Sequence, residues 1–337
     1  MPRSSHPPQA RQWFFLLCAL SAALLLLRPA PAMEAVREAL RLCSETIVPS
    51  LFPFLVFSAL LTALLPTAAL DRALSPLMRP IFRLIGDCGA VLALGFAGGY
   101  PVGVRTTAAL YRQGTLRRSE AQRLLAFCNN SGPGFLLGVV GIGVFGSASA
   151  GMRLYMVHIA AALLVGFLFR FYGGSDPLRT HGAKPAAGPD VPPLAQLFTE
   201  AVTGSFLAVL NICAFVLFFM IALRLLSLTG LLHLLAAALE AALSPFGMTE
   251  HLSTAFFAGL LELSTGAACM QGAPLTPGTA ALAAFLLGWG GLSVHCQSLL
   301  FVLETDLSCK PYFVGKFLQG LFSAMLAFAL FTVFPCG

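Results

Sequence analysis

The sequence predicts an all-α polytopic membrane protein, arranged as an inverted-topology repeat with two re-entrant hairpins and two broken transmembrane helices. Three observations predict this class: an apolar composition, apolar segments broken by Gly, Pro and polar residues, and basic residues grouped in a few loops. Of the 337 residues, 58% are hydrophobic and 10% are charged, whereas soluble chains are about half apolar and a quarter charged. This excess excludes a soluble enzyme, a nucleic-acid-binding module and a disordered protein.

The chain contains seven candidate spanning helices, because a helix needs roughly 20 mostly apolar residues to cross a bilayer. They are Trp13–Leu27, Ile47–Leu65, Ala121–Phe145, Met152–Tyr172, Ser205–Leu226, Thr276–Leu300 and Tyr312–Phe334. Two further stretches, Cys88–Leu110 and Leu252–Met270, are interrupted by Gly or polar residues, and Leu74–Ile85 and Leu231–Phe246 are short and amphipathic. The first candidate resembles either a signal peptide, since Ala30-Pro31-Ala32 has the form of a cleavage site, or a retained signal anchor.

Basic residues indicate which loops are cytoplasmic. Three precede the first interrupted stretch, and five lie near its end and in the loop after it: Arg72, Arg79, Arg83, then Arg105, Arg112, Arg117, Arg118 and Arg123. If both groups lie on one side, Cys88–Leu110 enters and returns as a re-entrant hairpin, with its tip at Gly98-Gly99-Tyr100-Pro101, which is typical turn sequence. The Pro- and Gly-rich residues 173–193, with Arg179 and Lys184, are predicted to be a cytoplasmic linker.

The two halves of the chain repeat one order of segments in opposite orientation. We therefore predict an N-terminal signal-anchor helix and connector at 1–43, a first inverted repeat at 44–172, the linker at 173–193 and a second inverted repeat at 194–337. The second half re-enters from outside, with Glu262-Leu263-Ser264-Thr265-Gly266 near its tip. Inverted repeats with broken helices are the signature of a secondary transporter, and chance similarity between apolar segments is the alternative.

Glu262 is the most specific candidate for a functional residue, because a carboxylate deep in an apolar stretch costs a few kcal/mol unless it is paired or protonated. It is predicted to be a substrate or cation ligand or a proton carrier, and the alternative is a carboxylate that caps the N-terminus of a broken helix.

Two further polar interruptions offer candidate ligands. Asn129-Asn130-Ser131-Gly132-Pro133-Gly134 unwinds a helix and supplies two carboxamides and a hydroxyl; a packing kink is the alternative. In Gly290–Gln297, the side chains of Ser293, His295 and Gln297 are spaced two apart, so an unwound stretch would aim all three one way. A serine-protease interpretation is rejected, because residues i and i+2 do not face each other on a helix.

Arg105 follows the first hairpin tip closely enough to meet an anionic substrate, although it would equally serve as a positive-inside anchor. His158 lies in the middle of an apolar helix, where a packed or hydrogen-bonded histidine is commoner than a ligand. No P-loop and no zinc-protease or kinase motif is visible, so we expect neither ATP-driven transport by this chain alone nor a cofactor or metal site.

These motifs resemble those of the YlbJ/SpoVV family of sporulation integral membrane proteins. The matching stretches are Gly98–Gly103, Leu124–Pro133, Gly290–His295 and Thr305–Tyr312, and the resemblance runs from about Ser44 to the C-terminus. It implies a nucleoside-recognition (Gate) fold related to concentrative nucleoside transporters, with two hairpins and two unwound helices around a midplane site. It also implies binding residues: Glu262, Ser264 and Thr265 of the second hairpin, Asn129, Asn130 and Ser131 of the first broken helix, and Ser293, His295 and Gln297 of the second. Gly99 and Tyr100 at the first hairpin tip, with Arg105 beside it, complete the predicted substrate site.

The resemblance implies a transporter of a small anionic solute, dipicolinic acid, moved across the outer forespore membrane of a sporulating bacterium. A nucleoside carrier and a non-transporting membrane scaffold for spore assembly are the alternatives, and an enzyme is not expected. The expected partners are the lipid bilayer, the small anion, H+ or Na+ as the coupling ion and, as in related folds, further copies of the chain; no nucleic acid is expected.

Overall fold

The computed structural model describes residues 8–64, 73–85, 87–174 and 193–335, and these residues form helices joined by turns, with no strand among them. Among these described residues, five helical runs are long and apolar enough to cross a membrane. They are Pro29–Leu61, Ala148–Phe171, Leu194–Leu228, Pro277–Leu303 and Lys310–Val333. Arg72 and the predicted linker residues Arg179 and Lys184 lie outside the described residues.

The N-terminal part is helical where a connector was predicted. Helix α1 (Pro8–Leu27) is followed by α2 (Pro29–Leu42), which passes through a π-helical turn at Cys43–Ile47 into α3 (Val48–Leu64). Pro29 stands at the first turn of α2, where a proline is tolerated. The small side chains of Ala32, Ala35 and Ala39 are buried where α2 packs against the long helix Leu194–Leu228. The predicted boundary at residue 43 therefore falls inside a continuous helical run.

The first half then forms a hairpin and a broken helix. Helical residues 73–82 lead to α4 (Asp87–Gly98) and α5 (Val102–Arg112), which meet at the predicted tip. Next come α6 (Arg118–Leu125), an irregular stretch at 126–133, a π-helix at Gly134–Val144 and α7 (Ala148–Leu168). The predicted span Ala121–Phe145 is thus split at the predicted polar interruption.

The second half has the corresponding elements. Helix α8 (Leu194–Leu228) begins well before the predicted Ser205, and α9 (Leu231–Leu243) follows it. The second hairpin consists of α10 (Glu250–Leu261) and α11 (Leu263–Cys269), separated by Glu262 alone. The second broken helix consists of α12 (Pro277–Trp289) and α13 (Gly291–Leu303), and α14 (Lys310–Val333) completes the chain.

Several loops predicted to be cytoplasmic meet at one end of the helix bundle. Arg112 pairs with Glu304, and Arg118 donates to the backbone carbonyl of Asp306 at 2.9 Å. Tyr111 donates its hydroxyl to Asp306 Oδ1 at 2.7 Å, and this bond, with Arg118 nearby, holds the pKa of the Asp306 carboxyl below its ordinary value. The contacts agree with the predicted topology, and the depth of the hairpins in a bilayer stays a prediction.

Glycines let the first hairpin lie directly against the first break. A Cβ on Gly103 would stand 1.9 Å from the carbonyl oxygen of Cys128, so no larger residue fits there. At the tip, Gly99 has φ +75°, and its backbone meets that of Gly132. The second hairpin meets the second break in the same way, because a Cβ on Gly291 would stand 3.1 Å from the backbone nitrogen of Leu263.

Candidate functional site

A cavity of about 580 Å³ lies between the two hairpin tips, the two breaks and helices α3 and α8. Eight of the twelve predicted site residues line it: Gly99, Tyr100, Arg105, Ser131, Glu262, Ser264, Ser293 and Gln297. Its other walls are mainly apolar and include Phe135, Phe215 and Phe301. A concave, mostly apolar chamber with a few convergent polar groups is the usual form of a small-molecule site.

Arg105 supplies the basic side chain among the residues that line the cavity. It is exposed, and its guanidinium has no ion-pair partner among the described residues. A guanidinium presents five N–H donors in a planar fork that matches a carboxylate. The cavity therefore contains a cationic group that is free to bind an anion.

Glu262 adopts the capping geometry that was the alternative for it. It is 3% exposed, and its extended backbone places it as the N-cap of α11. One carboxylate oxygen accepts from the backbone N–H of Ser264 at 3.0 Å, and the other from the backbone N–H and hydroxyl of Thr265 at 2.6 and 2.8 Å. An ionised carboxylate has about four acceptor positions, so this one, which accepts three hydrogen bonds, retains room for one further donor.

Thr265 itself does not line the cavity, in contrast to Ser264. Because its hydroxyl is committed to the Glu262 carboxylate, its role in this structure is to orient that group.

The second break directs its three predicted side chains in two directions. Gly290, with φ +92°, ends α12, and Gly291, with φ +81°, begins α13, so the break consists of two left-handed glycines and is not a longer unwound stretch. Ser293 and Gln297 are four residues apart on α13 and both face the cavity. His295 points the other way, and its Nδ1 lies 2.9 Å from the hydroxyl of Tyr312. The expectation that all three would converge was therefore wrong for His295.

The first break also divides its polar residues. Ser131 lines the cavity, whereas Asn129 and Asn130 are fully buried behind it. Asn129 donates to the hydroxyls of Ser298 at 2.9 Å and Tyr312 at 3.3 Å, which ties the two broken helices together. These two carboxamides are thus structural links behind the cavity wall in this conformation.

The side-chain nitrogen of Asn130 donates to the backbone carbonyl of Phe127, three residues earlier, at 2.9 Å. His158 is buried, and its Nε2 accepts from the backbone N–H of Ser131 at 3.1 Å. The histidine is thus a hydrogen-bonded packing residue, as its mid-helix position indicated.

Some polar residues at or behind the cavity were missed, and three of them are notable. Asn211 of α8 lines it, while Lys316 and Gln319 of α14 are fully buried behind Tyr100. The sequence carried a signal for all three, because each is a polar residue inside an apolar span, and an intramembrane ionisable group is a functional candidate by default.

The arrangement suits a small anion. Arg105 supplies positive charge, and the N-terminal ends of α5 and α13 and the start of the π-helix lie at the cavity, as shown by their residues Val102, Ser293 and Phe135 in its lining. Unpaired N–H groups at helix N-termini favour negative charge. The hydroxyls of Ser131, Ser264 and Ser293 and the amide of Gln297 add neutral donors.

Comparison with known proteins identifies the fold of this chain and its family. No family model matches the sequence. The sporulation integral membrane protein YlbJ of Bacillus subtilis (strain 168) is 32% identical over 333 residues, covering 94% of this chain and 81% of that protein.

Two solved structures of the concentrative nucleoside transporter CNTnw are similar in fold. A double variant in an outward-facing state has a TM-score of 0.53 at 13% identity and covers 97% of this chain and 87% of its own. A single-site variant in the intermediate 3 state has a TM-score of 0.51 at 16% identity, and the match covers 98% of this chain and 89% of that one. The chain therefore has the fold of these transporters.

Proposed function

The chain belongs to the family of the sporulation integral membrane protein YlbJ, and we propose that it is a secondary transporter that moves a small dicarboxylate, dipicolinic acid, across the outer forespore membrane during sporulation. The transporter class is supported by the likeness to CNTnw over nearly the whole chain. The substrate class is supported by the chemistry of the cavity, and the compartment by the family.

The observation that carries the proposal is the free guanidinium of Arg105 in the cavity wall. At neutral pH dipicolinate is a planar dianion, and an arginine binds one carboxylate through two parallel hydrogen bonds. Ser293 and Gln297 on α13, which also line the cavity, would donate to the second carboxylate. Phe135, Phe215 and Phe301 provide an apolar surface for the pyridine ring.

We also propose that residues 44–172 and 194–337 are the two inverted repeats of this transporter. Each half contains a helical hairpin followed by a broken helix, and each hairpin tip packs against the break of its own half. Rocking of one half against the other around a fixed site would give alternating access.

A nucleoside carrier is the second candidate, because the structures of similar fold are those of a nucleoside transporter. A non-transporting scaffold is the third, and it predicts that the polar residues of the hairpins tolerate alanine while the linker 173–193 does not.

Calorimetric titration of the purified, detergent-solubilised protein with dipicolinate, with uridine as competitor, separates these candidates. Saturable dipicolinate binding that uridine does not displace is expected. Binding of uridine without binding of dipicolinate would favour the nucleoside carrier, and binding of neither by folded protein would favour the scaffold.

A further inference from the structure

Lys316 is a lysine of α14 that is fully buried between the two halves of the protein. Its Nζ donates to the hydroxyl of Tyr100 at 3.0 Å, to the backbone carbonyl of Asn129 at 3.0 Å and to the side-chain oxygen of Gln319 at 2.9 Å. It also lies 4.9 Å from the centre of the Tyr100 ring. No carboxylate of the described residues pairs with it.

Each of the three partners can only accept from Lys316. The Tyr100 hydroxyl uses its own proton on the carbonyl of Leu287 at 2.8 Å, so its oxygen is left as an acceptor. The Asn129 partner is a carbonyl oxygen, which has no proton to give.

The orientation of the Gln319 amide follows from its other contacts. Its nitrogen donates to Asn130 Oδ1 at 2.8 Å, and the same nitrogen lies 3.3 Å from His158 Nε2, which already accepts from a backbone N–H. Turning the amide over would set its oxygen against the Asn130 oxygen, whose position is fixed because the Asn130 nitrogen donates to the Phe127 carbonyl. Gln319 therefore presents its oxygen to Lys316.

Three acceptors require three donors, and only the protonated amine has three hydrogens. The titratable groups that face it are Tyr100, Cys128, His158 and His295, none of which is an acid that ionises below neutral pH. The hydrogen-bond network thus holds an ammonium ion through oxygen atoms alone, one of them the backbone carbonyl of a broken helix. In transporters, unwound carbonyls of this kind coordinate a mobile cation.

We propose that Lys316 is a tethered cation that fastens the first hairpin tip to the first broken helix and takes the place of a mobile alkali cation. The inference rests on the transporter function proposed above and makes it more specific, since transport by this chain would then be independent of Na+.

The test compares wild type, Lys316→Ala and the matched control Lys310→Ala, whose lysine is exposed at the start of the same helix. Two quantities are measured in choline chloride, in NaCl and with added propylammonium. Propylammonium has the same atoms as the part of the lysine side chain that the Lys316→Ala substitution removes. One is uptake of labelled dipicolinate into proteoliposomes, and the other is the thermal unfolding midpoint in detergent, which requires no substrate.

Wild type and Lys310→Ala are expected to show the same uptake, within twofold, and the same midpoint in choline and in Na+. Lys316→Ala is expected to lose at least tenfold in uptake in choline, with a midpoint several degrees lower, and to recover both with propylammonium or Na+. A wild-type midpoint that rises in Na+, or a Lys316→Ala protein as stable in choline as Lys310→Ala, would overturn the inference.

If wild type takes up no dipicolinate, the proposed function fails, while the midpoints still decide the role of Lys316. If Lys316→Ala does not fold, Tyr100→Phe replaces it, because it removes one of the three acceptors. A midpoint that is lowered relative to Tyr111→Phe and is the same in choline and in Na+ then supports the inference, and an unchanged midpoint, or one that Na+ raises, overturns it.

Discussion

Tyr100 joins the two halves of the protein, since its hydroxyl donates to the carbonyl oxygen of Leu287 at 2.8 Å across 187 residues of sequence. Leu287 lies at the end of α12, three residues before the break at Gly290. A Cβ on Gly290 would stand 3.2 Å from the same hydroxyl. The tip of the first hairpin is therefore held against the second broken helix, and both line one cavity.

Tyr100→Phe is expected to destabilise the protein by about 1 to 3 kcal/mol, because it leaves a buried carbonyl and a buried ammonium each short of a partner. Thermal unfolding in detergent measures the loss. Tyr111→Phe is the control, since the Tyr111 hydroxyl bonds Asp306 at an exposed position. Equal midpoints for the two variants would contradict the role given to Tyr100.

Gly103→Ala is expected to prevent normal folding or to cost more than about 3 kcal/mol, because the new methyl would overlap the carbonyl of Cys128 and neither backbone can move independently. Gly204→Ala on α8 is the control, because a Cβ there meets nothing within 4 Å. That variant is expected to be neutral or stabilising by up to about 1 kcal/mol. Similar unfolding midpoints for both alanine variants would refute the close packing of hairpin and break.

Glu262→Gln is expected to cost about 1 to 2 kcal/mol in unfolding free energy, because the amide nitrogen would face the N–H groups that the carboxylate now accepts. The control is Glu250→Gln, which changes an exposed residue in the first turn of the other helix of the same hairpin. Denaturation of both variants measures the difference, and a Glu262→Gln protein as stable as its control would show that the cap contributes little.

Arg105→Gln is expected to weaken dipicolinate binding by at least about tenfold, because it removes a charge-assisted contact worth about 1.5 to 3 kcal/mol. Its unfolding midpoint should stay close to that of wild type, since Arg105 has no ion pair to lose among the described residues. Arg112→Gln controls for net charge, because Arg112 pairs with Glu304 away from the cavity. Titration calorimetry on both variants makes the comparison, and equal affinities would remove Arg105 from the site.

The positions at which helices break could be read from the sequence. Gly98–Pro101, Asn129–Gly134 and Gly290 interrupt helices at the predicted places, because turn chemistry and missing N–H groups act locally. Glu262 was likewise predicted to lie at a hairpin tip, and the capping geometry was among the alternatives given for it.

The direction of side chains beyond a break could not be read in the same way. Two left-handed glycines, Gly290 and Gly291, are enough to restart the helix, so the helical period, and not the spacing of two, sends His295 away from Ser293 and Gln297. The Lys316 network joins residues 187 to 216 positions apart. It exists only after α14 has packed between the halves, which no local pattern encodes.

Uptake of labelled dipicolinate into proteoliposomes tests the central claim most directly. Wild type, Arg105→Gln and Arg112→Gln would be reconstituted at equal density beside empty liposomes. The account predicts saturable uptake by wild type and Arg112→Gln, with uptake by Arg105→Gln reduced at least about tenfold at low substrate concentration. Uptake by folded wild-type protein that does not exceed that of empty liposomes would contradict it.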